Sequence, residues 1–123
     1  MTAAQDLMPS QHGVHNWHYV CEISDLVSNS GVCALIDTQQ VAIFSLVIKG
    51  ETHLFAMSNY DPIGKANVLY RGLLGSIGGE PVVASPLYKE HYFLKTGLCK
   101  ENSDVSVTTY PVKLEGERVF IGV

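Results

Sequence analysis

A chain of 123 residues, 46% of them hydrophobic and 16% charged, is long enough to form one folded domain around a conventional core. The formal net charge of −4, with only eight Lys and Arg, argues against a protein that binds nucleic-acid phosphates. The longest apolar run, VAIFSLVI, is too short to cross a bilayer, and no basic start precedes an apolar segment. We therefore expect a cytoplasmic protein without a membrane partner.

The first half of the chain predicts short strands. We expect residues 1–15 to form a polar and partly flexible lead-in and the domain to occupy residues 16–123. NWHYVC alternates as a strand that places Trp17, Tyr19 and Cys21 on one face, and EISDLV predicts a turn or a single helical turn. CALID, VAIFSLVIKG and THLFAM follow as strands, the last two joined as a hairpin at Gly50-Glu51. Because residues 41–48 have no polar face, we expect a central strand that is covered on both sides.

The second half is richer in loops. GLLGSIGGEPVVAS predicts two short strands joined at Gly78-Gly79, and HYFLKTG predicts a brief strand and a turn. VSVTTYPVKL and RVFIGV form a closing hairpin about Glu115-Gly116-Glu117, in which Pro111 marks an edge or a bulge. Short strands with turn signals about every eight to twelve residues predict an all-β sandwich or barrel.

Two segments, SNYDPIGKANVLYRG and VASPLYKEHYFLKTG, resemble the two ligand loops of Rieske domains. The usual forms of these loops are a CPHxG box and a CPxHG box, and Pro62 and Pro86 stand at the two proline positions. The four ligand positions, in chain order, hold Asp61 for Cys, Ile63 for His, Ser85 for Cys and Tyr88 for His. Lys65 and Lys89 replace the glycine that ends each box, which makes the backbone less permissive at both positions.

These replacements are incompatible with a [2Fe-2S] centre, which takes two thiolates and two imidazoles. Isoleucine has no donor atom, and the oxygen donors of Asp, Ser and Tyr match an iron–sulfur core poorly. Cys21, Cys33 and Cys99 form no local pair, and we expect reduced thiols that act as small buried hydrophobes. The resemblance thus implies an all-β, Rieske-like β-sandwich or barrel with two loops in place of the [2Fe-2S] site, and no cofactor or metal in this chain.

One cluster-free group is similar over almost the whole chain: the small subunits of the assimilatory NAD(P)H-dependent nitrite reductases. The matching marks are Asp61-Pro62, ANVLYRG, SPLYKEHYFLKTGLC and the YPV at residues 110–112. This resemblance implies a non-catalytic accessory subunit of a complex that reduces nitrite to ammonium in nitrate assimilation. Its partner would be the large subunit, which would carry FAD, iron–sulfur and sirohaem groups.

Two other functions fit the same fold. One is a free-standing Rieske-like interaction or regulatory module without redox activity, and the other is an electron-transfer ferredoxin with an unusual cluster. A stable monomer that does not associate with a flavin–sirohaem protein would favour the first function. An iron-free, colourless preparation would exclude the second.

The loop tips are the candidate site for partner binding, because loops on a rigid β scaffold commonly serve recognition. We expect Lys65, Lys89, Glu90, Tyr88 and His91 to cluster there, with Tyr88 and Ile63 as apolar anchors of a docking surface. The alternative is that Ile63 and Tyr88 fill the volume that a cluster would occupy.

No catalytic constellation is evident. His12, His15 and His18 have a spacing that suits zinc on one helical face, but Gly13 and the strand pattern of NWHYVC oppose a helix there. His53 and His91 stand alone in sequence, without a partnered nucleophile.

Overall fold

Antiparallel strands make up nearly all the regular structure in residues 16–123, the part of the chain that the computed structural model describes. The predicted all-β class is therefore confirmed. Within this part, no helix is both long and apolar enough to span a membrane. Two single 3₁₀ turns, Ile23–Asp25 and Leu69–Arg71, interrupt the strands. The strands are β1 Trp17–Glu22, β2 Ser30–Ile36, β3 Gln39–Ile48, β4 Glu51–Ser58, β5 Tyr60–Asp61, β6 Ala66–Asn67, β7 Leu73–Ile77, β8 Glu80–Ala84, β9 His91–Phe93, β10 Thr109–Tyr110, β11 Val112–Glu115 and β12 Arg118–Gly122.

The strands form four antiparallel groups. A four-stranded sheet has the order β10-β4-β3-β2, and a three-stranded sheet has the order β1-β12-β11. The second half of the chain adds the β5-β6 ribbon and the β7-β8-β9 sheet. The last two groups carry the two loops that resemble ligand boxes.

Strand β3 lies inside the four-stranded sheet, between β2 and β4, as predicted. Its alternate residues enter two hydrophobic clusters, one on each side of the sheet. Ala42, Phe44 and Leu46 pack with Val83 and Tyr92 from the β7-β8-β9 side. On the opposite face, Val41 and Ile43 pack with Val119 and Ile121 of β12.

The buried stretch of β3 is shorter than predicted. Burial extends from Val41 to Leu46, whereas Val47 and Ile48 are exposed at the end of the hairpin. The prediction that both faces are covered throughout residues 41–48 is therefore wrong for its last two residues, which extend beyond the neighbouring layers.

Two hairpin turns explain the local chain reversals. Lys49 and Gly50 join β3 to β4 with φ of 51° and 80°, and Gly78 and Gly79 join β7 to β8 with φ of 59° and 83°. Two consecutive residues with positive φ give a turn whose twist matches that of the flanking strands. The first turn lies one residue earlier than the predicted Gly50-Glu51.

A β-bulge in β1 changes the predicted alternation. The register shifts between Tyr19 and Cys21, so that Val20 has no direct partner on β12. Tyr19 pairs with Phe120, but Cys21 pairs with the buried Val119 and packs against the core. The prediction that Cys21 shares the face of Trp17 and Tyr19 is therefore wrong, because the extra residue reverses the direction of the side chains that follow.

Pro111 lies where the chain passes from one sheet to the other. Thr109 and Tyr110 pair with β4, whereas residues 112–115 pair with β12. Proline has no N–H to donate to either ladder, and its carbonyl accepts a bond of 3.0 Å from the Gly122 N–H.

The KTG turn fixes the chain that follows β9. Gly97 has a φ of 81°, its N–H donates to the Phe93 carbonyl at 2.7 Å, and its carbonyl accepts from the Val107 N–H at 2.8 Å. A Cβ atom at this position would collide with the Val107 carbonyl. Only glycine satisfies both the backbone angle and the close approach.

We expect Gly97→Ala to destabilise the domain by about 3 kcal/mol or more, since strain and collision act together. Gly50→Ala is a matched control, because Gly50 has nearly the same φ but open space around it. It should cost only about 1 kcal/mol. Urea unfolding of both variants measures the difference, and equal losses would show that the contact with Val107 contributes nothing.

Candidate functional site

Asn59, which follows β4, ties together the two ends of the first loop. Its side chain is fully buried, donates to Gln40 Oε1 at 3.1 Å and accepts from the Tyr70 N–H at 2.8 Å. Its backbone N–H donates to the Gln40 carbonyl, and its own carbonyl accepts from the Leu69 N–H. Asn59 thus joins residues 69 and 70, at the end of the first loop, to Gln40 at the start of β3 in the four-stranded sheet.

Asp61 is the polar centre of the site. Its carboxylate is fully buried and accepts hydrogen bonds from Ser85 Oγ at 2.5 Å, from the Tyr92 hydroxyl at 2.8 Å and from the Ile63 N–H at 2.9 Å. The structure therefore brings together the two residues that stand at the cysteine positions of the Rieske pattern, 24 residues apart in sequence.

Glu90 lies buried beside this carboxylate, within hydrogen-bonding reach of it. Only 6% of its surface is exposed, and neither carboxyl oxygen accepts a bond from an N–H or O–H group of the described residues. The prediction that Glu90 belongs to the exposed tip is wrong. Its neighbours Lys89 and His91 suggest a solvated charge, but the start of β9 turns Glu90 inward.

The pKa values of the two acids shift in opposite directions. Burial favours the protonated form of both, but only in Glu90 does burial prevail. Burial by itself raises the pKa of Asp61, but hydrogen bonds from Glu90, Ser85, the Gly64 N–H and Tyr92 outweigh it and hold the pKa well below its usual range. Burial, followed by the nearby Asp61 carboxylate, raises the pKa of Glu90 and outweighs the lowering effect of its own backbone N–H and of the neighbouring Ser85 hydroxyl. The same two causes raise the pKa of Tyr92, so its hydroxyl remains a donor.

The two loops have the same backbone design. The Lys65 N–H donates to the Asp61 carbonyl at 2.7 Å, and the Lys89 N–H donates to the Ser85 carbonyl at 3.1 Å. Each turn also closes through its first side chain, since Asp61 accepts from the N–H of residue 63 and Ser85 Oγ accepts from the N–H of residue 87 at 3.3 Å. Lys65 and Lys89 have φ of 58° and 67°, so both lysines keep the left-handed conformation that glycine would adopt freely.

The two histidine positions of the pattern are occupied differently. Ile63 is half-buried and packs against the core, whereas 70% of the Tyr88 side chain is exposed. Leu87 is partly exposed, and its side chain reaches from the second loop to Gly64 of the first loop. The approach is so close that a Cβ atom on Gly64 would lie 2.6 Å from Leu87 Cδ1. Of the two side chains proposed to fill the vacated volume, Ile63 faces inward and Tyr88 faces solvent.

His91 is held beside the loop rather than at its apex. Its Nδ1 lies 2.7 Å from Glu101 Oε2, and its backbone N–H donates to Glu101 Oε1 at 2.8 Å. Burial by itself raises the pKa of Glu101, but the two bonds from His91 lower it overall. This pair fixes the segment after β9.

The residues at the site do not fit an iron–sulfur cluster. Asp61 and Ser85, at the two cysteine positions, are hydrogen-bonded to each other, so no iron atom can lie between their side chains. Ile63 supplies no donor, and Tyr88 points to solvent. Across residues 16–123, no three His, Cys, Asp or Glu side chains form a group that could hold a metal ion.

The three cysteines are free thiols in different environments. Cys99 is buried in the core and Cys21 is half-buried, but Cys33 is exposed, so the prediction of a small buried hydrophobe is wrong for Cys33. Of the three N-terminal histidines, His18 lies on β1, while His12 and His15 fall outside the described residues.

Asn59 and Tyr92 were not selected from sequence, and Glu90 was selected but placed at the exposed tip instead of in the interior. Tyr92 carried a signal, since it stands at the aromatic position that follows the second box of the pattern. Asn59 and Glu90 are polar residues in loop segments, and their burial depends on elements that are distant in sequence.

We expect Ser85→Ala and Tyr92→Phe each to lower the free energy of unfolding by about 1.5–3 kcal/mol, because each removes a donor to a buried charged acceptor. Tyr110→Phe is the control, since the Tyr110 hydroxyl donates to the neutral and exposed Gln39. It should cost less than about 1 kcal/mol. Equal losses in urea unfolding for all three variants would contradict the importance of the Asp61 charge.

Comparison with known proteins places this geometry in a family. Residues 16–122 match the family described as Rieske-like [2Fe-2S] domain. The nitrite reductase (NADH) small subunit of Salmonella typhimurium is 42% identical over 99 residues, which cover 80% of this chain and 90% of that protein. The NMR structure of the Escherichia coli protein NirD is 39% identical with a TM-score of 0.78, covering 88% of this chain and 96% of that one.

A third relative is much longer. The nitrite reductase [NAD(P)H] large subunit of Klebsiella oxytoca is 37% identical over 106 residues, which are 86% of this chain but only 11% of that protein. A domain of this kind thus exists both as a separate chain and as one segment of a large subunit. With the identity and coverage of the Salmonella relative, these matches establish that the chain belongs to the Rieske-like domain family and, within it, to the small subunits of NAD(P)H-dependent nitrite reductase.

Proposed function

We propose that this chain acts as the accessory small subunit of an NAD(P)H-dependent nitrite reductase, which reduces nitrite to ammonium in nitrogen assimilation. The observation that carries this function is the 42% identity to the Salmonella small subunit over nine-tenths of its length. The chain itself performs no redox step, because the side chains at the loop positions suit hydrogen bonding and not metal ligation.

The partner is the large subunit of the same complex. The match to a segment of the Klebsiella large subunit supports this pairing, since one polypeptide there contains both parts. We assign FAD, the iron–sulfur centre and sirohaem to the large subunit. Nitrite reduction would take place there with electrons from NAD(P)H, and we place the complex in the cytoplasm.

The function is tested with the purified flavin–sirohaem subunit of the same organism. We expect the two chains to co-elute from a sizing column and NADH-dependent nitrite consumption to depend on addition of the small chain. If they neither associate nor alter the activity, the accessory role is wrong and the free-standing interaction module becomes the better explanation.

We propose that the tip surface, defined as Lys65, Leu87, Tyr88 and Lys89, docks on the large subunit. Leu87 and Tyr88 are 45% and 70% exposed, and neither lysine forms an ion pair within residues 16–123. The buried bonds of Asp61 hold the two turns rigidly beneath this surface, which lowers the entropy lost on binding. An apolar centre with basic edges suits a recess lined by acidic residues.

We expect the double substitution Tyr88→Ala with Lys89→Glu to weaken binding to the large subunit by about 10- to 100-fold. Ile48→Ala with Lys49→Glu is the control, because Lys49 also has a positive φ but lies at the opposite end of β4 from the first loop. Strand β4 separates the two sites by about 25 Å. Titration by surface plasmon resonance compares them, and an unchanged affinity for the Tyr88 variant would exclude the tip surface as the docking site.

A further inference from the structure

The interior between the two loops contains two carboxyl groups, and no cation of residues 16–123 pairs with either. Asp61 is fully buried, and Glu90 is more than nine-tenths buried. The ion pairs in residues 16–123 join His91 to Glu101, Lys95 to Glu80 and Lys113 to Glu115, so none involves either buried acid. Both acids are buried beneath the tip surface, and an inference about their protonation goes beyond the proposed function.

Two carboxylates in contact inside a protein cannot both be ionised at moderate cost. The low dielectric strengthens their repulsion, and burial removes the water that would stabilise each charge. Without a cation nearby, the stable arrangement keeps one proton on the pair.

The hydrogen bonds decide which acid carries the proton. Asp61 accepts from Ser85, Tyr92 and the Ile63 N–H, so its negative charge is well solvated by the protein. Both oxygens of Glu90 are buried and receive no bond from an N–H or O–H group of the described residues, which makes an ionised Glu90 costly. A protonated Glu90 can instead donate to the Asp61 carboxylate.

We propose that Glu90 remains protonated at neutral pH and donates its proton to Asp61, so that this pair forms a buried proton-binding site that joins the two loops. Folding then takes up a proton from solvent. Ionisation of Glu90 at alkaline pH places a second negative charge against Asp61 and weakens the junction of the loops.

The groups around Glu90 agree with this assignment. Asp61 faces it from the first loop, Ser85 from the end of β8 and Tyr92 from β9, and Cys99 lies near the Tyr92 hydroxyl. Each of these groups is anionic or neutral, and none supplies a positive charge. The Ser85 N–H also donates to the Glu90 backbone carbonyl at 2.9 Å, and this bond holds the Glu90 backbone next to the second loop.

Protonation of Glu90 makes the stability of the fold decrease as pH rises. A carboxyl group whose pKa is raised by folding binds more protons in the folded state than in the unfolded state, so stability falls as pH rises above its ordinary pKa of 4.5. The folding equilibrium constant loses up to about tenfold per pH unit until the folded-state pKa is reached. Below the ordinary pKa the effect vanishes, because both states are protonated.

The test compares the wild-type chain with Glu90→Gln by chemical unfolding between about pH 4 and about pH 9. Glutamine keeps the shape and a donor for Asp61 but has no proton to lose. We expect the variant to gain stability relative to wild type as pH rises, by about tenfold or more in the folding constant across that interval. Glu51→Gln, an exposed substitution at the start of β4, should show no such trend.

A constant difference between wild type and Glu90→Gln at every pH would overturn the proposal, since it would mean that Glu90 ionises alike in both states. A direct readout is the carboxyl ¹³C resonance of Glu90 in the folded chain. It should remain that of a protonated acid at neutral pH, and the chemical shift of a carboxylate there would also refute the assignment. Neither measurement involves the large subunit, so failure of the accessory role would leave this result unaffected.

Discussion

The Asp61 carboxylate is the interaction on which the arrangement of both loops depends. It accepts bonds from its own loop through Ile63, from the second loop through Ser85 and from β9 through Tyr92. Bonds to a buried charged acceptor are stronger than those between neutral groups, so one side chain can join three segments. In a Rieske domain a metal centre links the same two loops, whereas here hydrogen bonds to one anion do so.

The two loop backbones share one design, although none of the Cys and His ligands of the Rieske pattern is present. In each turn the N–H of the last residue, a lysine, donates to the carbonyl of the first residue, and that lysine has a positive φ. A non-glycine residue at positive φ carries a cost of about 1 kcal/mol, which the surrounding bonds offset. Such retention is reasonable when the loops serve as a rigid platform, because a platform requires shape and not metal chemistry.

The scaffold beneath the loops is rigid for a separate reason. The central sheet buries both faces of β3, one against β12 and the other against the β7-β8-β9 sheet. Gly97 then brings the chain after β9 into contact with the Val107 backbone. The loops therefore extend from elements that pack against one another on both faces of the sheet, which suits an accessory subunit whose role is to bind another chain.

Sequence alone determined the all-β class, the central position of β3, most of the hairpins and the pairing of two ligand-like loops, because these depend on local periodicity, turn residues and motif order. Only the tertiary structure decided that Glu90 is buried, that Tyr88 is exposed and that Cys21 turns inward at a bulge. The bonds that define the site join Asp61 to residues 24 and 31 positions away. Local sequence cannot specify such contacts, since burial and the charge state of a carboxyl group depend on what the distant parts of the fold place beside it.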